Sequence, residues 1–263
     1  MDKLKNIRLF LLDMDGTIYL DNRLFDGVTD FLAHVKAIGG KYMFLTNNSS
    51  KSVDKYIEKL ASLGISSAAG DFLTSTDATV LHLQKKAYHK IYAFGTSPFK
   101  EQLRQAALPI TDRLEDDIDC LCMGFDTELT FQKLEDACIL LGRGVDYVAT
   151  NPDWVCPTWY GSVPDCGSVS EMLYNATRRR PLFIGKPEPA MALLAMEQAG
   201  YRPEQTALIG DRLYTDIACG VNAGITSIFV LSGEGTLEDL KTSEVKPSYI
   251  FENIKTLLRE LQT

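Results

Sequence analysis

The chain has 263 residues, of which 45% are hydrophobic and 24% charged, and its formal net charge is −8. This length predicts two domains, or one domain with a large insertion, and the composition is that of an ordinary globular protein. The negative charge argues against nucleic acid or an anionic membrane as the main partner.

Strand and helix patterns alternate from the start of the chain. The run "IRLFLLD" (7–13) is continuously apolar, which predicts a strand covered on both faces, and "KYMFLTNN" (41–48) predicts a second strand. Apolar residues at helical spacing, closed by glycines, predict helices within 27–40 and 50–65. The order strand, helix, strand, helix predicts a parallel, doubly wound sheet.

The last third of the chain resumes this pattern, and the middle has an alternation of its own. We expect the strands "PLFIG", "TALIGD" and "ITSIFVL" to continue the first sheet, followed by a final helix at 254–261. The strand candidates "KIYAFG", "IDCLCMGFD" and "DYVATNPD" alternate with helices in the middle. The fold class is therefore α/β, with a Rossmann-like core over 1–77 and 181–263 and an inserted α/β module over 78–180.

No feature of the sequence indicates export or membrane insertion. The segment 1–6 is mostly polar, the apolar run after it stops at Asp13, and no stretch approaches the length of a membrane span. The six cysteines form no CxxC pair and no framework spacing. We therefore expect reduced cysteines, no zinc site and a cytoplasmic protein.

Polar side chains collect at the predicted strand ends, where open α/β sheets bind their ligands. They comprise carboxylates, one lysine, and hydroxyl and amide groups: Asp13, Asp15, Thr46, Asn47, Asn48, Lys186, Asp211 and Asp216. Such a set suits phosphoryl transfer with Mg²⁺, which prefers oxygen ligands and offsets the charge of a phosphate dianion.

The roles of these groups follow from their chemistry. Asp13 and Asp211 are natural metal ligands, and Asp13 keeps one oxygen to attack phosphorus, while Lys186 and Thr46 hold phosphate oxygens. Asp15 lies beside other carboxylates and is suited to donate and accept a proton as a general acid and base. Gly16 lets the backbone approach the phosphate closely.

The segments "DMDGT" (13–17), "LTNNS" (45–49), "GKPEP" (185–189) and "GDRLYTD" (210–216) resemble the four motifs of the haloacid dehalogenase-like (HAD) hydrolase superfamily. The residues TNN, GKP and GDRxxTD within these motifs, together with "TNPD" (150–153), are similar to those of the NagD-like subfamily of phosphatases. This resemblance covers essentially the whole chain and implies that the inserted module is a cap domain.

The resemblance implies a role for each matching residue. Asp13 is the nucleophile and a metal ligand, and Asp15 is the general acid/base with its backbone carbonyl on the metal. Thr46 and Asn47 bind phosphate or substrate, Lys186 holds the nucleophile and phosphoryl oxygens, and Asp211 completes the Mg²⁺ site. Asp216 supports this site or caps the following helix.

Specificity for a small phosphorylated metabolite is expected from cap loops around Asn151 and Asp153, and the resemblance also implies a homodimer formed through the cap. Trp154, Trp159 and Tyr160 form either a substrate-facing surface or ordinary cap core. Two alternatives to a phosphatase stay open: a phosphotransferase or mutase using the same aspartyl-phosphate, and a non-catalytic sensor of phosphorylated ligands.

Overall fold

The computed structural model describes residues 2–158 and 160–263, so Trp159 lies outside the described residues. The strands, numbered along the chain, are β1 (Leu9–Leu12), β2 (Tyr19–Leu20), β3 (Arg23–Leu24), β4 (Lys41–Thr46), β5 (Phe72–Thr74), β6 (Ile91–Phe94), β7 (Ile110–Thr111), β8 (Cys120–Met123), β9 (Asp146–Ala149), β10 (Val155–Thr158), β11 (Gly161–Pro164), β12 (Leu182–Phe183), β13 (Thr206–Gly210), β14 (Thr226–Val230) and β15 (Tyr249–Phe251).

The α-helices alternate with these strands. They are α1 (Asp2–Lys5), α2 (Val28–Ala37), α3 (Val53–Ser62), α4 (Ser75–Lys86), α5 (Ser97–Gln105), α6 (Phe131–Arg143), α7 (Cys166–Thr177), α8 (Ala190–Ala199), α9 (Ala218–Asn222), α10 (Asp239–Thr242) and α11 (Ile254–Leu261). A π-helix at Leu213–Ile217 directly precedes α9. The predicted helices in the first and last thirds are confirmed, and α11 has the predicted bounds.

The described chain divides into two compact units. The first unit comprises the chain up to Thr46 together with Tyr56–Leu73 and Lys186–Thr263, and the second unit comprises Asn47–Lys55 and Thr74–Gly185. Each unit contains its own parallel sheet with helices between consecutive strands. The predicted α/β fold class, with a doubly wound parallel sheet and a second α/β module, is confirmed.

The sheet of the first unit has the order β15-β14-β13-β1-β4-β5. β1 lies between β13 and β4 and runs parallel to both, so that Leu12 aligns with Ile209 on one side and with Phe44 on the other. All four β1 residues are buried, as expected for a strand covered on both faces. The carboxyl ends of these three neighbouring strands therefore meet at one edge of the sheet.

The second unit is built around the sheet β12-β9-β8-β6-β7, whose strands pair in parallel. The three strands predicted in the middle of the chain are confirmed as β6, β8 and β9. β10 and β11 form a separate antiparallel hairpin. The strand in "PLFIG" was predicted to extend the first sheet, and this was wrong, because β12 pairs with β9 of the second unit.

Two properties of the chain bear on its environment. None of the helices in the described residues has both the length and the apolar character needed to cross a membrane. All six cysteines, which lie within the described ranges, are free thiols.

Candidate active site

Asp13 lies directly after β1, at the edge where the central strands of the first unit end. Its backbone N–H donates to the carbonyl of Ile209 at 2.9 Å, which continues the pairing with β13 by one residue. Burial and the negative charge of Asp216 raise the pKa of Asp13 well above its ordinary value, although the charge of Lys186 opposes this rise. The chain therefore places a carboxylate where ionisation is costly without a cation.

Lys186 supplies one such cation. Its Nζ lies 2.6 Å from Oδ1 of Asp13 and 2.6 Å from Oδ1 of Asp216, and it also donates to the carbonyl of Leu45 at 3.2 Å. The side chain is only 2% exposed. Burial alone would lower the pKa of Lys186, but the two carboxylates outweigh it and raise the pKa above its ordinary value. The lysine stays charged and joins two acids.

Lys186 reaches this position from a loop between β12 and α8, where the chain passes from the second unit into the first. The sequence predicted that Lys186 follows a strand of the first sheet, which was wrong, because that strand, β12, belongs to the second unit. Lys186 nevertheless lies with Asp13 and Asp216, as its expected role requires. Lys186 therefore reaches Asp13 and Asp216 from the loop after β12, and not from the end of a strand of the first sheet.

Asp211 follows β13 and is held by a loop that the sequence did not mark as functional. The backbone N–H of Glu234 donates to Oδ2 of Asp211 at 2.7 Å. A Cβ atom added to Gly233 would lie 1.9 Å from that oxygen, and one added to Gly16, whose φ is +90°, would lie 2.3 Å from it. Only glycine fits at these two positions, because the backbone passes so close to the carboxylate.

Burial, followed by the charge of Asp216, raises the pKa of Asp211 to about 7. Within residues 2–158 and 160–263, Oδ1 of Asp211 is buried and has no hydrogen-bond partner. A buried carboxylate oxygen without a donor is costly unless a ligand meets it. Asp211 is therefore equipped to receive a cation.

Asp216 lies inside the π-helix, and both of its carboxylate oxygens accept hydrogen bonds. Oδ1 accepts from Lys186 and Oδ2 accepts from the backbone N–H of Arg212 at 3.0 Å. A Cβ atom on Gly210 would lie 2.2 Å from the Cβ of Asp216. Asp216 thus accepts hydrogen bonds both from the backbone before the π-helix and from Lys186.

Three carboxylates form a group with the dimensions of a metal site. One oxygen from each of Asp13, Asp211 and Asp216 lies within 4.8 Å of the others. Carboxylate oxygens are hard ligands of the kind that Mg²⁺ prefers, and the unpartnered Oδ1 of Asp211 gives this group an available ligand atom. The residues present therefore fit a divalent cation.

Asp15 is more exposed than the other acids and has a different partner. Its Oδ1 lies 3.7 Å from Nζ of Lys59, and its side chain is 32% exposed. Asp15 is expected to bind the metal through its backbone carbonyl. The grouping of the three carboxylates does not bear on that expectation. The side chain is available for a role other than metal binding.

Thr46 and Asn47 are the two residues expected to bind phosphate or substrate. Thr46 is the last residue of β4, and Asn47 follows it. Thr46 is buried in the first unit, whereas Asn47 begins a segment of the second unit. Nδ2 of Asn47 donates to Oδ2 of Asp153 at 2.7 Å. The same carboxylate oxygen accepts from Nδ2 of Asn151 at 2.9 Å. Asn151 also donates to Asp165, which caps α7.

The predicted specificity residues Asn151 and Asp153 are thus buried within a hydrogen-bond network of the second unit. Trp154 and Tyr160, by contrast, have exposed side chains, so they are not part of the core of this unit. Three residues near the site were not predicted from the sequence: Lys59, Ser232 and Glu234. Ser232 donates to the carbonyl of Gly16 at 2.8 Å. The "GEG" segment after β14 was the available signal, because it follows a strand that ends beside β13.

Comparisons with known proteins identify related chains. Family models described as haloacid dehalogenase-like hydrolase and HAD-like hydrolase match residues 10–108 and 183–257. The acid sugar phosphatase of Staphylococcus aureus (strain USA300) is 31% identical over 98% of this chain and 100% of its own length.

Solved structures of phosphatases and of NagD are also similar to this chain. The 4-nitrophenylphosphatase of Thermotoga maritima is 40% identical, with a TM-score of 0.92 over 99% of both chains. NagD from E. coli K-12 is 28% identical, with a TM-score of 0.86 over 95% of this chain and 97% of its own.

Proposed function

The chain belongs to the haloacid dehalogenase-like hydrolase superfamily, in its NagD-like branch, and we propose that Asp13 is the nucleophile with which it hydrolyses small phosphomonoesters. It is a phosphoric monoester hydrolase. The observation that carries the assignment of the nucleophile is the contact of Nζ of Lys186 with Oδ1 of Asp13, beside two further buried carboxylates. This arrangement orients one oxygen of Asp13 and leaves Oδ2 as the attacking atom.

In the first step, Oδ2 of Asp13 attacks phosphorus and the bond from phosphorus to the leaving oxygen breaks. The leaving oxygen takes a proton from Asp15, so that an alcohol departs and an aspartyl-phosphate remains on Asp13. Lys186 keeps Asp13 in one orientation and offsets charge on the phosphoryl oxygens. We assign Thr46 and Asn47 to the binding of phosphate or substrate.

In the second step, Asp15 takes a proton from water, and the resulting hydroxide attacks phosphorus. The bond from phosphorus to Asp13 breaks, and inorganic phosphate leaves. The side chain of Asp15 is partly exposed and therefore has access to solvent, which supports its assignment to both proton transfers. Two aspartates separated by one residue thus take different roles.

We assign Mg²⁺ as the cofactor, held by Asp13, Asp211 and the backbone carbonyl of Asp15. The carboxylate group and the unpartnered Oδ1 of Asp211 support this assignment. When bound, Mg²⁺ offsets the negative charge of the acids and of the substrate phosphate. Asp216, whose oxygens both accept hydrogen bonds, acts through Lys186.

The second module, predicted over 78–180, is proposed as the cap that selects the leaving group, with a homodimer formed through it. Asn151 and Asp153 are the cap residues assigned to specificity. The net charge of −8 argues against a nucleic acid polymer as substrate. Free cysteines are typical of a reducing compartment, which supports a cytoplasmic location.

The assignment is tested with Asp13→Asn, which removes the nucleophile and keeps the size of the side chain. Phosphate release from 4-nitrophenyl phosphate and from sugar phosphates is measured with and without Mg²⁺. We expect the variant to lose activity while its circular dichroism spectrum is unchanged, and a variant with near wild-type turnover contradicts the proposal. Product analysis with a second sugar present distinguishes hydrolysis from transfer to a hydroxyl group.

A further inference from the structure

Lys59 on α3 contacts both Asp15 of the first motif and Tyr19, which follows that motif. Its Nζ lies 3.7 Å from Oδ1 of Asp15 and 3.6 Å from the centroid of the Tyr19 ring. The Lys59 side chain is 19% exposed, so its charge is only partly screened by water. A cation over an aromatic face is attracted to the ring and is held more firmly when desolvated.

The aromatic ring that Lys59 contacts, that of Tyr19, is held in place by burial and by its backbone. Tyr19 is fully buried, and its carbonyl accepts a hydrogen bond from the N–H of Gly16 at 2.8 Å. Asp15 and Tyr19 form a backbone bridge, so the turn that carries Asp15 also carries the ring. Burial, followed by the negative charge of Asp15, raises the pKa of the Tyr19 hydroxyl far above its ordinary value, so this side chain stays neutral.

The helix that carries Lys59 is also anchored. Tyr56 and Leu60, which flank Lys59 on α3, are both buried. The position of Nζ is therefore set from two sides, by the buried face of α3 and by the ring of Tyr19. By contrast, the carboxylate of Asp15 stands at the end of a partly exposed side chain and would otherwise rotate toward water.

We propose that Lys59 is a positioning residue that holds the carboxylate of Asp15 in the orientation needed for proton transfer. The inference rests on the proposed role of Asp15 as general acid and base. At 3.7 Å the ammonium attracts Oδ1 without lying within hydrogen-bonding distance. The carboxylate is thereby oriented while its oxygens stay available for a proton of the leaving group or of water.

The proposal is tested with Lys59→Met, which keeps the length of the side chain and removes the charge, and with Lys59→Arg, which keeps the charge. Lys36→Met is the matched control, because Nζ of Lys36 lies 5.3 Å from the Tyr42 ring but outside the catalytic group. Steady-state rates are measured with 4-nitrophenyl phosphate and with glycerol phosphate. The first leaving group departs readily without a proton, and the second requires one.

We expect Lys59→Met to lower kcat by about ten- to a hundredfold with little change in KM, since misplacing a catalytic group costs rates of this order. The loss is greater with glycerol phosphate, and Lys59→Arg retains most of the activity. In a background of Asp15→Asn, Lys59→Met has little further effect, because its partner is already gone. The melting temperature of each variant shows whether it is folded, and Lys59→Gln replaces Lys59→Met if the latter unfolds.

Several outcomes overturn the proposal. The first is a normal kcat in a folded Lys59→Met variant. The second is a kcat of the Asp15→Asn/Lys59→Met double variant that falls by the product of the two single losses. The third is an equal loss of kcat with 4-nitrophenyl phosphate and with glycerol phosphate. A rise in KM at constant kcat would instead make Lys59 a contact of the substrate phosphate. Wild-type protein without phosphatase activity would refute the proposed function itself, and the wild-type assay distinguishes that failure from failure of the role of Lys59.

Discussion

Lys186 and Asp13 form a buried ion pair in which Nζ lies 2.6 Å from Oδ1. Because Asp216 lies at the same distance from Nζ, one cation holds two carboxylates in the first unit. Removing one member of such a group leaves the others buried and uncompensated, which costs about 3–5 kcal/mol. We predict that Lys186→Met loses activity by at least about a hundredfold and is destabilised in urea unfolding at pH 8.

A control for this variant is Lys90→Met. Lys90 also contacts two carboxylates, Glu115 and Asp117, but these groups lie at the surface. Surface ion pairs contribute little to stability, so we expect small changes in unfolding and in activity. Equal effects of the two substitutions would contradict the special position of Lys186.

A second prediction concerns Asp216, which contacts Lys186 through one oxygen and the N–H of Arg212 through the other. Asp216→Asn keeps an acceptor for Arg212 and removes the charge opposite Lys186. Groups that orient metal ligands contribute about 10–100-fold to metal affinity or activity. We expect kcat to fall by this amount and the Mg²⁺ concentration for half-maximal activity to rise, as measured by Mg²⁺ titration. Unchanged values would show that Asp216 serves only the π-helix.

The sequence predicted those parts of the site that depend on local pattern. A continuous apolar run identified β1, and its end placed Asp13 where parallel strands meet, because strand ends in such sheets share one edge. Lys186 was predicted as a site residue but with the wrong sheet for the strand before it. A two-residue strand such as β12 has too little pattern to show whether it pairs with β9 or with a core strand.

Contacts made by the backbone were not predictable. Glu234 holds Asp211 through its N–H, and every residue type except proline offers that donor. Lys59 was also missed, since on a helical pattern it looks like any partly exposed lysine. Only the folded chain shows that Tyr19 and Asp15 lie beneath it.

The dependence of stability on pH and metal follows from the raised pKa values of Asp13 and Asp211. Burial raises the pKa of Asp211 from 3.8 to about 7, so the folded state binds its proton more tightly than the unfolded state. Stability from this group is fully present below pH 3.8 and is lost as the pH rises to about 7. In a chelator we therefore expect the free energy of unfolding to fall over this range, as measured with urea. Saturating Mg²⁺ should reduce the loss, because it binds the ionised acids, and an identical pH profile with and without Mg²⁺ would contradict the metal site.

The buried network around Asp153 leads to a prediction about specificity. Oδ2 of Asp153 accepts from both Asn47 and Asn151, so Asp153→Ala leaves two buried donors unsatisfied and costs about 1–3 kcal/mol. Because the side chain is 2% exposed, we expect it to act on specificity through Asn47, so that Asp153→Ala changes the ratio of kcat/KM between 4-nitrophenyl phosphate and sugar phosphates. Asp116→Ala, at a fully exposed side chain, is the control. An unchanged ratio between the two substrates would contradict the assignment of Asp153 to specificity.

The close approach of Gly233 to Asp211 gives the last prediction. A Cβ atom at this position would lie 1.9 Å from Oδ2 of Asp211, so Gly233→Ala must displace either the carboxylate or the loop that carries the N–H of Glu234. We expect weaker Mg²⁺ activation and a lower kcat, with KM for the substrate less affected. Gly142→Ala in α6 is the matched control, because no atom lies within 4 Å of the added Cβ. Alanine favours a helix interior over glycine by about 1 kcal/mol, so this control should be at least as stable as wild type and fully active. Normal Mg²⁺ activation of Gly233→Ala would show that the position of Asp211 does not limit metal binding.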